Sequence, residues 1–205
     1  MKLIDKMINR SNSFRWARSG LEIAKYRPDK YNGEGVYTDT EEWTDYFDVG
    51  DSISLNEYLE IENRYINTAI QILKLMDCSL VTLVCYENIA SSLVRRTRSH
   101  PFFVKLNGGR NFYLSDEDIH LVYLSKTLKE KSRVPCEKMA DVMKILLRGY
   151  ANAFVCNESR KVYFELPGSY YLWLNCPVQY HTSVAEIVKN NNLFFNPRDK
   201  SSQNI

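Results

Sequence analysis

The sequence predicts an α+β fold, a single domain in which a mixed, largely antiparallel sheet packs against long amphipathic helices. Two helical periodicities and one meander carry that reading. Leu55, Tyr58, Leu59, Tyr65, Ile66, Ala69, Ile72, Leu73 and Met76 recur at helical spacing, opposite a face of Asn56, Glu60, Arg64, Asn67, Gln71 and Lys74. Met139, Ala140, Val142, Met143, Leu146 and Leu147 repeat the pattern between Pro135 and Gly149. Beyond Ala151 the period drops to two, and turn residues at Asn157 to Ser159 and Pro167 to Ser169 separate three strand-like runs.

Each element has a local reason. Lys2 to Asn9 and Phe14 to Ala24 read as short basic helices joined by the turn at Ser11 to Ser13, which makes residues 1–42 an N-terminal basic helical arm. Arg15, Arg18, Lys25, Arg27 and Lys30 in this arm are placed to touch phosphates or to lie on the domain itself through Trp16, Tyr26 and Tyr31. Trp43 to Val49 reads as an extended lead into the long helix, whose start is marked by Ser54 and Glu57 at capping-box spacing. At 1.5 Å per residue that helix spans roughly 30 Å, the width of a small domain. It stops at Asp77-Cys78, and Leu80 to Tyr86 is an unbroken apolar run, as in a strand covered on both faces.

Glu87 and Asn88 follow at the strand end, where a polar group either lines a site or caps the next helix, Ile89 to Val94. Arg95, Arg96, Arg98 and His100 form a basic run. Asn107 to Arg110 turns a hairpin between Phe103 to Leu106 and Asn111 to Leu114. Ser115 caps a helix with Asp116, Glu117 and Asp118 in its first turn and Lys126, Lys129 and Lys131 near its end, in the sense the helix dipole favours. Ser183 to Lys189 is a last helix and Leu193 to Phe195 an edge strand. Residues 43–196 thus form the α+β domain, and residues 197–205 read as a disordered tail.

With 205 residues and 44% hydrophobic content, the chain has ample material for a core. No segment is apolar enough to span a bilayer, and Met1 to Ser11 carries charges where an export signal has an apolar stretch, so a soluble cytoplasmic protein is expected. Cys78, Cys85, Cys136, Cys156 and Cys176 are scattered singly, as buried reduced thiols would be. The net charge of +2 conceals a segregation. Asp39, Glu41, Glu42, Asp45, Asp48, Asp51, Glu57, Glu60 and Glu62 follow one another with no Lys or Arg among them. Such a block either meets a basic partner or is a solvated loop and helix start. Glu41, Glu42, Asp45, Asp48 and Asp51 are the candidate partner-binding residues.

No P-loop, dinucleotide fingerprint, nucleophile elbow or metalloprotease helix is present, and His100, His120 and His181 make no ligand pair. No catalytic residue, cofactor or metal is therefore assigned, and the chain is read as a non-enzyme. Trp43-Thr44-Asp45-Tyr46-Phe47-Asp48-Val49-Gly50, then Leu55 to Glu62, Tyr65-Ile66 and a strand ending in Glu87 resemble bacterial immunity proteins of contact-dependent growth inhibition and polymorphic toxin systems. Val162-Tyr163-Phe164, Tyr170 to Trp173 and Asn192 to Phe195 extend the likeness. The resemblance implies a cytoplasmic binder that neutralises one cognate toxin domain, a nuclease in many such systems, without nucleic acid, membrane or cofactor. The alternatives are a nucleic-acid-binding accessory protein, resting on Arg95, Arg96 and Arg98, and a small nuclease or hydrolase using His100 or His181 with Lys161 or Arg95.

Overall fold

A computed structural model describes residues 20–32, 38, 43, 45–97, 102–166 and 170–196. Ten strands and five α-helices are found among them, and Leu55–Leu75 (α1) is the longest helix. It starts where the sequence places it, with Ser54 Oγ accepting from the Glu57 N–H at 3.3 Å. Its end is a Schellman turn, in which the Asp77 N–H reaches Lys74 O and the Cys78 N–H reaches Leu73 O. Asp77 takes the left-handed conformation this turn requires, at φ 50°. The remaining helices are Ala90–Leu93 (α2), Asp116–Thr127 (α3), Met139–Leu147 (α4) and His181–Asn190 (α5).

The main sheet contains Leu21–Ala24 (β1), Leu80–Asn88 (β2), Arg133–Pro135 (β6), Ala151–Asn157 (β7), Val162–Glu165 (β8), Tyr171–Asn175 (β9) and Phe194–Phe195 (β10). Their order is β10-β1-β9-β8-β7-β2-β6. Val94–Arg95 (β3), Phe103–Lys105 (β4) and Asn111–Tyr113 (β5) form a second, three-stranded sheet. The α+β class is as expected. All pairings between these strands are antiparallel, and among the described residues parallel pairing is seen at an isolated bridge, Val49 to Ile53.

Period-two alternation divides the sheet into two faces. Leu83, Val155, Phe164, Leu174 and Leu21 stand in register across five strands, and all are buried in the cluster that also holds the inward residues of α1, α3, α4 and α5. Burying each such side chain stabilises the fold by about 1.5–3 kcal/mol. The opposite face carries the row Val84, Phe154, Glu165, Trp173 and Glu22. Burial between the neighbouring strands pushes the Glu165 carboxyl up to about 7 from an ordinary 4.5. A raised carboxyl pKa contributes stability that is complete below the ordinary value and is lost as pH rises through about 7. Glu165→Gln should therefore raise the melting temperature relative to the parent more at about pH 8 than at about pH 5. An equal shift at both pH values would show that Glu165 ionises freely in the fold.

Several local expectations are corrected. Leu21–Ala24, expected at the end of a helix, is a strand between β9 and β10, because Leu21 and Ile23 alternate onto the buried face. Gly20 precedes it where a side chain would strike Leu174 O at 2.5 Å. Lys25 does not reach outward for phosphate. It is buried, with Nζ donating to Trp43 O at 2.8 Å and lying 3.8 Å from the Trp43 ring centroid. Tyr46–Asp48, expected to be extended, is a turn of 3-10 helix capped by Asp45. Pro135 ends strand β6, and α4 begins only at Met139, since Val134 pairs with Val81 and holds the chain extended until then. Ala90–Leu93 is a single helical turn, after which Val94 enters β3. The tail from residue 197 lies outside the described residues.

A candidate protein-interaction surface and the charge cluster behind it

The acidic block separates into three sets with different environments. Asp45 and Asp48 are used by the chain itself. Asp45 Oδ1 accepts from the Phe47 N–H at 3.0 Å, and Asp48 Oδ2 accepts from the Asp45 N–H at 3.0 Å, a reciprocal cap for the 3-10 turn. Burial raises the Asp45 pKa, with the Phe47 N–H opposing and the Asp48 charge adding to it. Gly50, at φ 87°, then turns the chain so that its N–H meets Ile53 O. Asp51, Glu57 and Glu60 form the outward set. Asp51 pairs with Arg110 at 2.8 Å and Glu60 with Arg64, and all three carboxylates are on exposed residues. Leu55, expected to face inward, is 49% exposed among them at the head of α1. Glu41 and Glu42 lie outside the described residues.

Glu62 alone makes up the third set, and its carboxylate is wholly internal. Arg148 donates to it twice, Nε to Oε1 at 2.7 Å and Nη2 to Oε2 at 2.8 Å. The same guanidinium reaches Asp118 Oδ1 at 2.8 Å and Glu117 Oε2 at 2.7 Å. Arg148, Glu62 and Asp118 are each no more than 1% exposed. The second oxygen of Asp118 accepts from Tyr46 Oη, Ser115 Oγ and the Ser115 N–H at 2.7–3.0 Å. Tyr58 Oη donates to Glu62 Oε1 at 3.1 Å and accepts from Tyr170 Oη, while Tyr65 donates to Tyr170 O. Arg148 also lies 4.9 Å from the Tyr46 ring centroid.

Local sequence explains how these groups converge. Tyr58, Glu62 and Tyr65 follow one stripe of α1. Asp118 is the third residue of a capping box with Ser115, which turns its carboxylate toward the helix start. Arg148 caps the C-terminal end of α4, before a Schellman turn in which Gly149, at φ 68°, sends its N–H to Leu146 O and Tyr150 sends its own to Ile145 O. That turn holds the guanidinium between Glu62, two turns into α1, and the start of α3. Burial opposes ionisation of Asp118, but the Ser115 and Tyr46 hydrogen bonds and the Arg148 charge outweigh it and hold the pKa below the ordinary range. Glu117 is lowered likewise, against burial, by Lys144 and Arg148. Burial would lower the Arg148 pKa, yet Glu62 dominates and raises it. Tyr46 is pushed well above the usual phenol, first by burial and then by the Asp118 charge.

A general acid or base works with a pKa near the ambient pH. Arg148, Asp118 and Glu117 are driven away from it, so these groups hold fixed charges and serve as a clamp joining α1, α3, α4 and the 3-10 turn. Through Tyr46 the clamp fixes the acidic segment to the core. Arg110 supplies a second anchor, with Nη2 donating to Phe47 O at 2.8 Å. The clamp has a trace in the sequence: Glu62 falls on the apolar stripe of α1, where a carboxylate needs a counterion. Composition alone does not say which cation answers it.

The other candidate groups stay apart from this cluster. Asn88 rather than Glu87 caps the turn after β2, its Oδ1 accepting from the Ser91 N–H at 2.9 Å. His120 is exposed on α3, His181 begins α5, and His100 lies outside the described residues. Among the described residues no three His, Cys, Asp or Glu side chains gather as metal ligands, and no helix is long and apolar enough to cross a membrane. The five cysteines are free thiols. The sequence matches no family model, and neither a curated protein nor a solved structure is similar to it.

Proposed function

We propose that the chain is an immunity protein, a cytoplasmic binder that neutralises the nuclease domain of a cognate toxin by occupying it, with no catalysis or cofactor of its own. The observation that supports this best is the acidic segment mounted on the clamp: Asp51, Glu57 and Glu60 point outward around an exposed Leu55, on a backbone fixed by Tyr46 and Arg110. A nuclease binds a polyanion and so presents a basic surface. An apolar centre among carboxylates complements such a surface, the charges supplying encounter rate and the desolvated leucine supplying residence. The resemblance of Trp43 to Gly50 and Leu55 to Glu62 to immunity proteins points to the same segment.

Co-expression tests the reading. The toxin domain encoded immediately upstream of this chain should arrest growth alone and cease to do so when this chain is present. A variant with Asp51→Lys, Glu57→Lys and Glu60→Lys should fold and yet protect poorly, because the exposed pairs it breaks contribute at most about 1 kcal/mol each to stability. Growth arrest unrelieved by the parent chain would refute the proposal. Full protection by the variant would move the interface away from this segment, with the aromatic strand β9 the next surface to test.

A further inference from the structure

The three-stranded sheet has an outward face that neither the clamp nor the acidic segment uses. Val94, Val104 and Phe112 alternate toward the main core. The other phase places Arg95, Phe103 and Tyr113 in one cross-strand row, with Lys105 opposite Asn111 in the next. The Phe103 and Tyr113 rings are 6.2 Å apart, and Tyr113 is 53% exposed. In the phase of Val94 and Val104, Arg96 lies 5.1 Å from the Phe102 ring centroid, and the Phe102 ring meets Tyr123 edge-on at 6.0 Å. Tyr123 is also 53% exposed, with Lys126 Nζ at 5.7 Å from its ring. No residue of the three strands is acidic.

Exposed tyrosines interleaved with cations need a partner that uses both. An acidic protein or a nucleic-acid duplex would satisfy the charges and leave the ring faces idle. A single strand offers phosphates to Arg95 and Lys105, and unstacked bases to Tyr113 and Phe103. We propose that the face bearing Arg95, Phe103, Lys105 and Tyr113 binds single-stranded nucleic acid by stacking bases on its aromatic row. The basic run alone suggests nucleic acid without saying which form, since it lacks the aromatic half. The pairing of β3 with β4 and β5 supplies it. The site uses different residues from the toxin-binding segment, whose Asp51 meets Arg110 at the β4–β5 turn, and it stands or falls independently of the immunity reading.

Fluorescence anisotropy of the purified full chain with a labelled oligothymidylate of about 16 nucleotides tests it, beside a duplex of the same length, at about 50 and 200 mM salt. The single strand should bind about 10-fold tighter than the duplex. Tyr113→Ala should weaken it by about 10-fold with the salt slope unchanged, and Tyr113→Trp should retain it. Arg95→Gln with Lys105→Gln should flatten the salt slope, since two phosphate contacts are lost. Tyr113 is exposed, so its loss leaves the fold intact, as circular dichroism of the variant will verify. Absence of binding at the lower salt would overturn the proposal. So would equal affinity for duplex and single strand with no effect of Tyr113→Ala, which is the behaviour of bare electrostatic attraction, or equal displacement of the oligonucleotide by polyglutamate from parent and Tyr113→Ala.

Discussion

Arg148→Leu should destabilise the protein by about 3–5 kcal/mol, enough to consume much of the stability of an ordinary domain. The substitution leaves Glu62 and Asp118 buried with no cation, and the lost Coulomb attraction is only part of the cost. Two desolvated carboxylates must then either stay charged in a poor medium or take up protons. Urea denaturation of the parent and variant measures the difference. Glu62→Gln made on the Arg148→Leu background should recover part of it, because the orphaned charge is removed. The two substitutions should therefore be strongly non-additive. Acid titration gives a second reading of the same cluster. Asp118 and Glu117 have lowered pKa values, so their contribution is present above the ordinary 3.8 and 4.5 and is lost as pH falls through the lowered values. Arg148→Leu should blunt this acid loss. A cost below about 1 kcal/mol would show that the guanidinium is not what neutralises the interior.

Ile72→Asp should be comparably severe while Leu55→Asp should be nearly silent, although both residues lie on one helix and share the apolar stripe in the sequence. Ile72 is 1% exposed and sits where α1 meets the sheet, so a carboxylate there costs several kcal/mol. Leu55 is 49% exposed at the first position of the helix, where an acid also suits the helix dipole. Melting curves separate the two outcomes. Equal losses would mean that Leu55 is packed by a part of the fold other than the described core. If Leu55 belongs to the interface, Leu55→Asp will weaken partner binding without unfolding the chain.

These two residues show where the sequence was readable. Periodicity locates an apolar stripe, and over Tyr58 to Leu73 the stripe is the buried face of α1, because along that length its side chains join the main core. It fails at Leu55, where the helix overhangs its support. Caps and turns were legible for the same local reason: Ser54, Ser115, Gly149 and the hairpin glycines act on backbone groups a few residues away. Leu21–Ala24 was not legible as a strand. Its partners Leu174 and Phe195 stand more than a hundred residues along the chain, and short alternation after a basic segment suits helix and strand alike. The clamp was hidden differently. Asp118 and Arg148 each read as ordinary surface charge in isolation, and Glu62, although on the apolar stripe, does not name the cation that answers it. Asp118 had a sufficient local role as a helix-start carboxylate, so nothing near it in the chain pointed to burial. Of the candidate partner-binding residues, Asp45 and Asp48 prove to have capping roles, Asp45 while exposed, and Asp51 is exposed and pairs with Arg110.

The most direct test of the toxin-binding proposal is the association rate of the purified toxin domain that the proposal expects as partner with the parent chain and with the variant carrying Asp51→Lys, Glu57→Lys and Glu60→Lys, followed by stopped flow at about 50 and 200 mM salt. Steering by several charges should make the parent associate about 10-fold faster than the variant at low salt, with the gap closing at high salt. Identical rates for parent and variant at both ionic strengths, or no association at all, would contradict it.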